Sequence, residues 1–124
     1  MSEKITLWIV DDDELVCRSL KRVISSSGYS VEIFHSAEEV LSSSNLNTCK
    51  CLILDVRLPA MNGVELQRQL QTRNLRFPII FITSLADEEV KAQALQAGAI
   101  DYLHKPFGED ELFRAIRKAF AVGQ

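Results

Sequence analysis

The chain has little of what many specialised proteins are built on. Glycine and proline together supply 8 of 124 residues, too few for a collagen-like, low-complexity or disordered chain. Three cysteines are an odd number and too few to frame a disulfide scaffold, which makes a reducing cytoplasm the expected setting. No apolar run approaches the ~20 residues that span a bilayer. The longest are Ile5 to Val10, interrupted by Thr6, and Ile79 to Ile82, so no membrane partner is expected. The opening residues carry no signal-peptide pattern. Positive charge is not in excess either: 14 Lys and Arg against 17 Asp and Glu leave a net charge of −3, with the bases scattered. A free-standing nucleic-acid binder is usually basic with a clustered stripe, so direct binding to DNA or RNA is not expected of this domain. What is present is 47% hydrophobic and 25% charged residues, in a length that suits one globular domain over residues 1–124 and leaves no room for a second.

Five short apolar runs alternate with five helical patterns. Ile5 to Val10 reads as a buried strand that stops abruptly at Asp11, Asp12 and Asp13. Val16, Leu20, Val23 and Ile24 follow a helical template that ends at Ser25-Ser26-Ser27-Gly28, with Gly28 expected as the C-cap. Tyr29 to Phe34 is a second strand, and Ser36-Ala37-Glu38-Glu39 is a capping-box pattern that opens a short second helix. Cys51 to Leu54 is a third strand, again ending on an acid, Asp55. Leu58-Pro59 and Asn62-Gly63 mark a loop before a helix carrying Val64, Leu66 and Leu70. Pro78 to Thr83 is a fourth strand, Asp87 caps a fourth helix closed by Gly98, Ile100 to Leu103 is a fifth strand, and Leu112 to Phe120 fits the last helix. Nearly continuous apolar strands mean a sheet covered on both faces. The expected fold is therefore α/β, a doubly wound parallel sheet of five strands with five helices.

In such sheets the site lies beyond the carboxyl ends of the strands. The first strand ends on Asp11 and Asp12, the third on Asp55 and the fourth on Thr83, while the fifth runs into Lys105-Pro106. Residues far apart in sequence thus meet at one rim. Three carboxylates there would raise one another's pKa unless a cation neutralised them. Oxygen-only ligands without His or Cys favour Mg²⁺ or Mn²⁺ over zinc, and Mg²⁺ keeps open positions for water and phosphate oxygens. An Asp carboxylate can act as a nucleophile that forms an acyl phosphate, with Lys105 and Thr83 supplying a cation and a donor to the transferred group.

These residues carry a family resemblance. Val10-Asp-Asp-Asp13, Asp55-Val-Arg-Leu-Pro-Ala-Met-Asn-Gly63, Phe81-Ile-Thr-Ser84 and Asp101-Tyr-Leu-His-Lys-Pro-Phe107 occur in order on the right elements, and from Ile5 to Phe120 the chain resembles the receiver domain of two-component response regulators. The stretch Pro78 to Phe107 is most similar to the FixJ-like group, although Ser84-Leu85-Ala86-Asp87 departs from the Gly/His-rich loop common there. The resemblance implies the flavodoxin-like strand order 2-1-3-4-5. It implies that Asp55 is the phosphoacceptor for a sensor histidine kinase. Asp12 and Asp55 would bind Mg²⁺ directly with the backbone carbonyl of Arg57, and Asp11 would act through water. Thr83 and Lys105 would hold phosphoryl oxygens, Thr83 and Tyr102 would be switch residues, and Lys105-Pro106 would be a cis peptide. The face of the fourth helix, fifth strand and fifth helix would rearrange and pair as a homodimer. A DNA-binding output would lie outside this chain, which would then be the receiver half of a longer transcription factor.

Several residues have plainer readings. Asp13 and Glu14 fit a helix cap or first turn, and Tyr102 could be a half-buried strand aromatic. Cys49-Lys50-Cys51 lacks the two-residue spacing of a redox pair, so Cys51 is expected in the core. His35 and His104 lack metal-ligand company. A phosphorylation-independent pseudo-receiver would be expected to lack one of the acids or Lys105. A related phosphohydrolase would need an acid two residues after the nucleophile, where Arg57 stands. Arg57 and Leu85, each two residues past a site residue, are placed to shield an acyl phosphate from water.

Overall fold

The computed structural model of the chain describes residues 5–84 and 87–122. Among them, strands and helices alternate as β1 (Thr6–Val10), α1 (Glu14–Ser25), β2 (Ser30–Phe34), α2 (Ala37–Ser42), β3 (Cys51–Asp55), α3 (Gly63–Thr72), β4 (Ile79–Thr83), α4 (Glu88–Gln96), β5 (Asp101–His104) and α5 (Glu109–Val122). Neighbouring strands pair in parallel in the order β2-β1-β3-β4-β5. This is the doubly wound sheet expected from the alternation, with its switch point between β1 and β3. No helix among the described residues is long and apolar enough to cross a membrane.

Strand periodicity sorts the core into two layers. Leu7 and Ile9 of β1, Ile53 of β3 and Ile80 and Ile82 of β4 pack with Leu20 and Ile24 of α1 and Leu112 and Ile116 of α5. Trp8, Val10, Leu52, Leu54 and Phe81 point the other way, toward Val40 of α2, Leu66 and Leu70 of α3 and Ala94 of α4. Every residue of β3 and of β4 is buried, which is why these two strands read as unbroken apolar runs.

Helix starts follow local chemistry. The side chain of Asp13 accepts from the Leu15 and Val16 amides, and that of Asp87 from the Glu89 and Val90 amides. Two details differ from the sequence reading. The Ser36 hydroxyl does accept from the Glu39 amide, but the Glu39 carboxylate reaches past Ser36 to the His35 amide, at 3.2 Å. The complete capping box stands instead at α3, where Asn62 and Glu65 each accept the other's amide, at 2.9 and 3.2 Å. In addition α1 closes on Ser26, and Gly28 lies beyond it at φ +95°, a left-handed backbone that suits glycine. A short 3-10 turn, Leu46–Thr48, occupies part of the stretch after α2.

Candidate functional site

Strand register brings the acids together. Val10 lies opposite Leu54 in the β1–β3 pair, so Asp11 and Asp55, each one residue further on, emerge side by side. Thr83 lies opposite His104 in the β4–β5 pair, which places Lys105 at the same rim. A cleft of about 420 Å³ opens there, lined by Asp11, Asp12, Asp13, Asp55, Arg57, Leu58, Pro59, Ser84 and Lys105. Oxygens of Asp11, Asp12 and Asp55 lie within 4.8 Å of one another. Asp11 is fully buried and Asp55 nearly so, whereas Asp12 is exposed and faces solvent access.

The Lys105 ammonium bridges the two buried acids, donating to Asp11 Oδ2 at 2.9 Å and to Asp55 Oδ2 at 3.2 Å. The second oxygens are also engaged: Asp11 Oδ1 accepts from the Asp13 amide at 2.9 Å, and Asp55 Oδ1 from the Arg57 amide at 3.0 Å. Burial is the largest influence on Asp55 and pushes its pKa up to about 6. The Arg57 amide and Lys105 oppose that rise, while the Asp11 charge adds to it. Burial alone would lower the Lys105 pKa, but its bonds to Asp11 and Asp55 outweigh this and hold it above the ordinary lysine value. The donor set is oxygen only, it is densely anionic, and it has one open acidic edge at Asp12. Those features fit a hard divalent cation such as Mg²⁺.

Gly63 explains the close fit behind Asp55. A Cβ on it would stand 2.5 Å from the Asp55 carbonyl oxygen and 3.1 Å from a Phe81 ring carbon, so α3 can start against the strand end only with glycine here. Ala60, in the intervening loop, holds a left-handed φ of +64°.

The other candidate residues are placed as follows. Thr83 is fully buried at the end of β4, and its carbonyl accepts the Lys105 amide at 2.7 Å; its neighbour Ser84 lines the cleft. The Tyr102 hydroxyl is buried, with the ring 6.3 Å from that of Phe81. Burial raises its pKa, the Asp87 charge adds to the rise, and the Thr83 side chain opposes it. The Lys105-Pro106 peptide is cis. Arg57 is exposed at the cleft, and Leu85 lies outside the described residues. Asp13 caps α1. His35 Nε2 lies 2.9 Å from a Glu14 carboxylate oxygen, and His104 is exposed. All three cysteines are free and buried. One contact had no signal in the sequence: the Cys17 thiol donates to the Asp11 carbonyl at 3.2 Å, and burial pushes that thiol up to about 12, which keeps it protonated.

Fold and cleft together define a class: a doubly wound α/β domain with an acidic, lysine-bridged cleft at the switch point. The family model for the response regulator receiver domain matches residues 7–117, and the chain belongs to that family, as the receiver domain of a two-component response regulator. Among its relatives, the response regulator protein TodT of Pseudomonas putida is 45% identical over 123 residues, covering 98% of this chain and 54% of TodT. The transcriptional regulatory protein FixJ of Bradyrhizobium diazoefficiens is 32% identical over 119 residues, covering 96% of this chain and 58% of FixJ. The chain thus spans about half the length of the curated relatives it matches. Among solved structures, the response regulator StyR superposes with a TM-score of 0.89 at 39% identity, covering 97% of this chain and 61% of that one. The N-terminal part of FixJ superposes with a TM-score of 0.83 at 35% identity, covering 96% and 94%. Receiver domains are signalling domains rather than enzymes with a soluble substrate, and they generally bind Mg²⁺ at an acidic pocket.

Proposed function

We propose that residues 1–124 form one receiver domain that acts in the cytoplasm and takes a phosphoryl group from a sensor histidine kinase onto Asp55. The observation that carries this reading is the Lys105 ammonium bridging Asp11 and Asp55, with Asp12 in reach on the open side. In the transfer, an Asp55 carboxylate oxygen forms a bond to phosphorus as the phosphorus–nitrogen bond of the donor phosphohistidine breaks, and the departing nitrogen keeps the electron pair, leaving a neutral imidazole whose proton stays on the other ring nitrogen. Asp12, Asp55 and the Arg57 carbonyl would hold Mg²⁺, with Asp11 supporting it through water. When bound, the ion would supply charge neutralisation for the transferred group and the acids around it.

Lys105 already lies against an Asp55 oxygen, where it can pair with the incoming phosphoryl group. Thr83 donates to another phosphoryl oxygen. Its proximity to the buried Tyr102 hydroxyl supports a shared switch role for these two residues. An apolar groove of about 590 Å³ between α1 and the β5–α5 loop shares Ser84 and Lys105 with the cleft, and Leu15 at its edge is 72% exposed, which offers a seat for the donor protein beside Asp55. Phosphorylation then rearranges the α4–β5–α5 face, promotes homodimerisation and controls transcription through a DNA-binding portion outside this chain.

The test is direct. With Mg²⁺ and acetyl phosphate, mass spectrometry should find one base-labile phosphoryl group on Asp55. An adduct that persists in Asp55→Asn, or no adduct with acetyl phosphate or a cognate kinase, would overturn the reading.

A further inference from the structure

The helix α4 is held asymmetrically. Of its residues Glu88–Gln96 only Ala94 is buried, with Val90 half-buried against the core, so little apolar surface fixes its position. At its C-terminal end two amides reach across from α3: Gln67 Nε2 donates to the Ala94 carbonyl at 3.3 Å, and Gln71 Nε2 to the Ala97 carbonyl at 2.7 Å. The two glutamines are four residues apart, one helical turn, and their acceptors lie at the C-terminal end of α4, where the Ala94 carbonyl also accepts the Ala99 amide at 3.0 Å. At the N-terminal end the cap is local, from Asp87. Among the described residues no hydrogen bond or ion pair joins Asp87–Glu89 to another element. Gln67 is 2% exposed, and its Oε1 is buried without a partner. An amide in that position is a poor choice for stability alone, because a buried acceptor left unpaired is costly. What it supplies is a directed bond to one carbonyl, which fixes where α4 ends against α3.

We propose that Gln67 and Gln71 form a clamp that pins the C-terminal end of α4 to α3 and makes it a pivot, so that motion starting at Thr83 swings the N-terminal end of α4. The swing rests on the phosphorylation reading above; the clamp itself does not. The test compares the full chain with Gln67→Met/Gln71→Met, which keeps side-chain length and removes both donors, by hydrogen exchange and mass spectrometry with and without Mg²⁺ and acetyl phosphate. In the resting protein, exchange at the amides of residues 97–99 should rise about tenfold in the double variant, the factor expected on losing one to two modest hydrogen bonds. Phosphorylation of wild type should alter exchange in residues 88–91 while 97–99 stay protected, and in the variant the change should spread along the whole helix. Unchanged resting exchange at 97–99 in the variant would overturn the clamp. Equal changes at both ends of α4 in phosphorylated wild type would overturn the pivot. If wild type takes no phosphoryl group, the phosphorylation reading and the swing that rests on it fall together, and the resting comparison still decides the clamp. Gln71→Ala, at the more accessible position, gives the same resting comparison should the double variant not fold.

Discussion

Replacing Asp55 with asparagine should make the metal-free protein more stable near neutral pH. The Asp55 carboxyl titrates at about 6 in the folded chain against an ordinary value of 3.8. A carboxyl whose pKa is raised by folding supports the fold fully only below its unfolded value, and that support is lost as pH rises from about 4 through about 6. A rise of roughly two pKa units corresponds to about 3 kcal/mol between the two ends of that window. Asparagine keeps an oxygen for the Arg57 amide and leaves Lys105 paired with Asp11, so a gain of about 1–3 kcal/mol at about pH 7.5 is expected, or very roughly 3–10 °C in Tm for a domain of this size. Trp8, the one tryptophan, is fully buried and reports unfolding by fluorescence in urea with a chelator present. The advantage should be smaller at about pH 5. Mg²⁺ should narrow it, because on the proposed ligand set the ion would stabilise wild type and the variant would lack one of its ligands. An Asn variant no more stable than wild type at about pH 7.5, or one with an equal advantage at both pH values, would refute this account of Asp55.

Gly63→Ala should destabilise the fold by at least about 2 kcal/mol and slow phosphorylation by acetyl phosphate, since the added carbon must displace the Asp55 backbone or α3; thermal melts and adduct formation check the two effects. Ala60→Gly should raise stability by about 1 kcal/mol, read by urea unfolding, because the backbone there is left-handed. Asp13→Ala should cost about 1 kcal/mol through loss of the α1 cap yet keep the Mg²⁺-dependent rise in Tm, whereas Asp12→Ala should lose most of that rise.

The sheet was legible because β1, β3 and β4 bury both faces and end on polar residues, so the strand-end rule gathered Asp11, Asp12, Asp55 and Lys105 from positions that look unrelated in the chain. Other features left no mark. An alanine at position 60 says nothing of a left-handed turn, since only glycine or asparagine advertises one. Asn62-Gly63 reads equally as a turn or a helix start, and the reciprocal bond with Glu65 that decides the matter spans one helical turn. The α3–α4 bridge was invisible because Gln67 and Gln71 meet backbone carbonyls, which carry no residue identity. Thr83 lay on the right strand end, but whether it or Ser84 faces the cleft depends on a single step of strand alternation.

The bond from Lys105 to Asp11 spans 94 residues, and that to Asp55 spans 50. One ammonium therefore ties the last strand to the first and the third, and the cleft exists only once all three are in place. A chain stalled before β5 docks would carry both acids without their counter-ion. Small phosphate donors could then serve as conformational probes: the yield of adduct on Asp55 would count finished molecules, and truncations or destabilising variants could be ranked by it without any spectroscopic measurement.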